Sequence, residues 1–141
     1  MNMRILFAFI LSSVAALAFS QDSWKVCLDK KVLLNTSAED EAGNVIKIST
    51  GNLNKNKNLV VSYKEASPQK GWERTMTVYN EKDQELKTQK GKKLTIKTSE
   101  LKTLLEKNGT IRIYTISLPT DPKMKAQVRV RRVHLCSLAL D

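Results

Sequence analysis

Beyond residue 20 the chain is a succession of short apolar or alternating runs, each stopped after ten residues or so by Gly, Pro, Asn, Asp or Ser. Such punctuation makes strands joined by turns. Segments 24–28, 32–34, 44–49 and 58–64 read as four β segments, the last two following Gly43 and the polar loop TGNLNKNKN. In WERTMTVYN, Trp72, Arg74, Met76 and Val78 share one face while Glu73, Thr75, Thr77 and Tyr79 share the other, a period of two. ELKTQ, KLTIKT and TIRIYTISL continue the series, and Pro119 stops it before the PTDP turn.

One segment departs from this pattern. SELKTLLEKNG spaces Leu101, Leu104 and Leu105 as a helix does, with Thr98 or Ser99 to cap its start and Gly109 to end it, which predicts one short helix around 100–108. Many short strands with a single helical insertion argue for a mainly β fold, an antiparallel β-sandwich with which an immunoglobulin-like arrangement is compatible. An α/β sheet would need helices between most strands. An open barrel and an α+β sheet are the other architectures that fit.

The first 20 residues, MNMRILFAFILSSVAALAFS, place one positive charge at Arg4 before an apolar run and then small residues, the layout of an export signal. The apolar run is about 13 residues, short of the roughly 20 a membrane span needs, and no second one follows. Small residues permit cleavage after Ala18 or after Ser20; the favoured cut, after Ser20, leaves a single β-rich domain, 21–141, expected to be secreted or periplasmic. It removes one of 24 basic residues and none of the 14 acidic ones, so the formal charge falls from +10 to about +9. A field of that sign favours anionic partners.

Cys27 and Cys136 lie near opposite ends of the mature domain, in a compartment where disulfides persist. The expectation is one bond joining the first and last strands. In the chain-entropy picture, closing a loop of about 110 residues stabilises a fold by nearly 5 kcal/mol.

The last strand-like stretch, AQVRVRRVHLC, changes phase in its middle: Val128 and Val130 share one parity, Val133 and Leu135 the other. A bulge between Arg131 and Arg132 would return both pairs to the core and leave arginines outside. Two readings follow. The stretch is an ordinary closing strand, or Arg129, Arg131 and Arg132, with Lys123 and Lys125, form a cationic strip for phosphate, sulfate or carboxylate groups.

Catalytic constellations are sparse. His134 is the only histidine, no G-x-S-x-G elbow or Gly-rich phosphate loop occurs, and a metal site at His134 and Cys136 would lack further ligands. No metal and no cofactor are expected. Scattered carboxylates leave a small hydrolase as the last-ranked reading. Trp24 reads as a core residue packing on the expected disulfide, and Trp72 as the more exposed tryptophan. Aromatic content of 6% gives little platform for single-stranded nucleic acid, so that partner is not expected. Asn35 and Asn108 match the glycosylation pattern, which matters only in a eukaryotic secretory pathway. The leading expectation is therefore a non-catalytic exported binding protein with a protein partner. The alternative is a binder of an anionic polymer or anionic surface glycan or lipid through the basic C-terminal strand.

Overall fold

A computed structural model describes residues 21–141; the expected export signal lies outside the described residues. Nine strands form two sheets. One sheet has four strands: β1 (Ser23–Leu28), β2 (Lys31–Thr36), β4 (Asn58–Lys64) and β7 (Lys93–Lys97), in the order β2-β1-β4-β7. The other has five: β3 (Val45–Ile48), β5 (Trp72–Asn80), β6 (Glu85–Lys90), β8 (Thr110–Pro119) and β9 (Val133–Leu140), in the order β3-β9-β8-β5-β6. All described pairs are antiparallel except β3 with β9.

Alternation along the strands decides what goes inside. SWKVCL, NLVVSYK and KLTIK turn Trp24, Val26, Leu28, Leu59, Val61, Tyr63, Leu94 and Ile96 to the core and leave their other residues on the outer face. From the five-stranded sheet come Met76, Val78, Ile111, Ile113, Cys136 and Leu138.

Three short helices sit outside the sheets: α1 (Thr50–Leu53), α2 (Thr98–Asn108) and α3 (Pro122–Gln127). The expected helix is α2, which starts at Thr98 and seals the core with buried Leu101 and Leu105. It stops at Gly109, whose φ of 77° suits glycine and whose N–H donates to the Leu105 carbonyl. α3 was not expected. It begins with Asp121 accepting from the Lys123 N–H and with Pro122 in the first turn, and it buries no side chain.

Two expectations about the chain ends are overturned. Cys27 and Cys136 are both free thiols, not within disulfide distance. The parity that turns Trp24, Val26 and Leu28 inward turns Cys27 outward, half-buried and opposite Val32 and Val60, whereas Cys136 is wholly buried in the facing sheet. A side chain on the far side of one layer cannot reach across a sandwich whose layers stand about 10 Å apart. The ends are joined instead by a buried hydrogen bond, Trp24 Nε1 to the Leu135 carbonyl at 2.9 Å.

The closing strand also starts later than expected, at Val133. Residues 128–132 pair with no strand, and Val130 is 39% exposed. A bulge is present, but at Leu135 rather than between Arg131 and Arg132: His134 faces Tyr114 and Cys136 faces Ile113, so Leu135 is the extra residue. Leu135 therefore has no partner in the ladder, and its carbonyl accepts from Trp24.

Candidate functional site

The two outer faces of the sandwich differ. On the five-stranded sheet, Tyr79, Tyr114 and His134 form a chain of edge-on rings with centroids 5.6 and 5.3 Å apart. The Arg132 guanidinium lies over both tyrosines, 4.7 Å from Tyr79 and 4.1 Å from Tyr114. The Tyr114 hydroxyl donates to Glu41 at 3.2 Å. His134 is fully buried, with Nε2 2.9 Å from Ser137 Oγ and with Nδ1 unpartnered. Burial holds its pKa below the ordinary imidazole value, against the opposing pull of Glu41 and Glu39. Arg132 and the loop that carries Glu41 cover this part of the face, while Val45 and Lys47 at its β3 edge stay exposed.

The C-terminal cations are divided between paired and unpaired groups. Arg131 donates to both oxygens of Glu39 at 2.9 Å, and Arg132 donates to Asp83 at 2.8 Å. These carboxylates raise the pKa of both guanidinium groups, and Arg132 in turn holds the Asp83 carboxyl below its usual range. Lys123 and Lys125 stand on α3 and Arg129 follows it, all three exposed. The segment thus presents three free cations, and its two best-placed forks are already occupied.

A second cluster lies where β1, β4 and β5 meet. Trp24 stacks on Tyr63 with centroids 5.9 Å apart, and the Arg74 guanidinium sits 4.0 Å above the Tyr63 ring. Arg74 donates to Glu65 at 2.9 Å and to Thr115 Oγ1 at 3.1 Å. Asp22 accepts from the Tyr63 hydroxyl at 2.7 Å and from the Ala66 N–H at 2.8 Å. Burial pushes the Asp22 carboxyl up, but these two hydrogen bonds and the Arg74 charge outweigh it and hold the group below the usual carboxylate range. A cleft of about 230 Å³ opens beside these groups, with Trp72 and Val130 on its wall. Arg74 of the five-stranded sheet thus faces both carboxylates, Asp22 at 4.0 Å and Glu65 at 2.9 Å, and ties the two sheets together.

The outer face of the four-stranded sheet is open. Its strands contain no acidic residue, and alternation turns Lys25, Lys64, Lys93 and Lys97 outward. All four are exposed, and among the described residues none is in an ion pair. Register arranges the face in rows. Asn35, Lys25, Ser62 and Lys93 line up across all four strands, with Ser23 and Lys64 in the row beside them. On the other side come Val32, Cys27, Val60 and Thr95, then Asn58 and Lys97. A shallow trough of about 360 Å³ runs between Lys25, Asn35, Ser62 and Lys64.

Sequence reasoning missed these lysines, although the signal was present. Each occupies the outward parity of a strand whose inward parity was readable, and they join only when β7, some 70 residues from β1, docks beside β4. Among the described residues no group of three or more His, Cys, Asp or Glu side chains is placed to hold a metal. No described helix is long and apolar enough to cross a membrane. Compared with protein-family models, with curated proteins and with solved structures, the chain matches none.

Proposed function

We propose that this chain is a non-catalytic, exported binding protein of immunoglobulin-like arrangement whose working surface is the outer face of the four-stranded sheet. The observation that carries this reading is the contrast between the faces: one is of mixed charge sign and covered in part by Arg132 and the Glu39–Glu41 side of the preceding loop, the other is bare and of one charge sign. A working surface must be reachable, and cations rooted on a sheet with no carboxylate among them are open to a ligand's anions.

The strand order supports the arrangement. With β1, β4 and β7 set as A, B and E, the pairs A–B and B–E fall in one sheet; with β6, β5, β8 and β9 set as C′, C, F and G, that order falls in the other. Export is supported by the leader-like first 20 residues, and it places the domain outside the cytoplasm, secreted or periplasmic.

A photoactivatable side chain at Val32, on the bare face and 50% exposed, tests the surface; Val45 on β3 of the other sheet, 42% exposed, is the control. Irradiating cells that make each variant is expected to give a heavier species from position 32, discrete for a protein partner and a smear for a polymer, and none from position 45. Equal labelling from both, or none from either, would overturn the reading.

A further inference from the structure

The charge and chemistry of the bare face narrow what it takes. Lysines are compact, strongly hydrated point charges on flexible stems, suited to a string of anions whose positions vary, whereas planar bidentate recognition of a single group calls for arginine. The face carries four such lysines and no arginine. Between them stand short neutral donors and acceptors, Ser23, Asn35, Ser62 and Thr95, which match hydroxyl groups.

Other anionic partners find less. Single-stranded nucleic acid needs exposed rings for its bases, and both aromatic residues of this sheet, Trp24 and Tyr63, are buried on its inner side. A membrane surface rewards apolar side chains that enter it, and Val32 is the only exposed large one on the face. A second copy of the chain would bring its own four lysines against these, and like charges repel. A protein partner of ordinary kind seeks a pocket for an aromatic or aliphatic anchor, whereas this surface is a shallow trough.

We infer that the outer face of the four-stranded sheet binds a linear acidic polysaccharide laid across the strands, its anionic groups on Lys25, Lys64 and Lys93, with Lys97 two rows away adding to the field, and its hydroxyls on the Ser and Asn side chains between. The row from Asn35 to Lys93 covers three inter-strand steps, about 14 Å, long enough to engage successive sugars of one chain. This inference rests on the reading that the bare face is the working surface.

The test uses the processed full domain and two soluble probes, heparin and polygalacturonate, at low salt. In K25S/K64S/K93S/K97S affinity for the probe that wild type binds is expected to fall at least tenfold, with a shallower dependence on salt. A control with the same loss of charge, K70S/K82S/K123S/K125S, is expected to change affinity less than threefold. The charge-preserving K25R/K64R/K93R/K97R should keep most of the binding. All eight lysines are exposed, so the variants should stay folded, and thermal unfolding should match wild type except that K97S, at the N-cap position of α2, should raise it slightly. Equal weakening by the control, binding of a DNA duplex or of anionic lipid vesicles as tight as that of the polysaccharides, or no binding of either probe would overturn the inference. A position-32 photoadduct together with unchanged polysaccharide affinity in K25S/K64S/K93S/K97S would remove the polysaccharide and leave the working surface standing.

Discussion

At the scale of single residues the buried thiol and the buried imidazole have opposite experimental signatures from their surface counterparts. Complete burial pushes the Cys136 thiol up to about 12, and no thiolate is available there at neutral pH. Cys27 is half-buried on the outer face. A thiol reagent on the native protein should therefore label one cysteine and label two only after unfolding. Two labelled cysteines in the folded state, or none after denaturation without reductant, would contradict the assignment. His134 is neutral in the fold because burial lowers its pKa below the value of about 6.5 that it regains when unfolded. As pH falls through 6.5, the unfolded chain takes up a proton that the native state refuses, so stability should decline from there toward the lower native pKa. A His134→Gln variant should lose that part of the decline, as read from urea midpoints at pH 7.5 and 5.5. An unchanged difference between the two pH values would show that other groups carry it.

At the scale of elements, the sandwich depends on how β1 meets β9. Trp24→Phe keeps one aromatic ring but removes the donor and part of the buried volume, leaving the Leu135 carbonyl without that partner; a loss of at least about 1–3 kcal/mol is expected by urea unfolding. Gly109→Ala, at a φ of 77° that L residues seldom adopt, should cost about 1–2 kcal/mol although nothing crowds the added carbon. β4 and β5 coincide with their sequence reading because period-two alternation and turn residues bound them on both sides. The place of the bulge was not readable. The phase change in AQVRVRRVHLC admits a slip at the arginines or one at Leu135, and only the partner strand decides: β8 pairs with β9 no farther than Thr115 with Val133, so nothing extends the ladder to Val130. α3 did leave a trace in the sequence, Asp121 followed by Pro122. It has no apolar face, and hydrophobic periodicity, the signal used for α2, is blind to it.

For the whole molecule, the legible part was the class of fold, since strand count and turn spacing leave few alternatives to two packed sheets. Cysteine position along the chain was a poor guide to cysteine position in space, because one step of parity moves a side chain from the core to the outside. A consequence follows for stability: millimolar reductant should leave the melting temperature of the folded domain unchanged. A fall of several degrees would restore the sulfur link. The bare lysine face was not legible either, as charge runs such as VRVRR attract notice while single lysines spread over three distant strands do not. Asymmetry is the larger outcome. Four lysines with no carboxylate among them give one broad side a pull that the mixed-sign opposite side lacks: set down on a negatively charged layer, copies should favour that side, with the tyrosine-and-arginine side facing the solvent and free to be read by whatever arrives next.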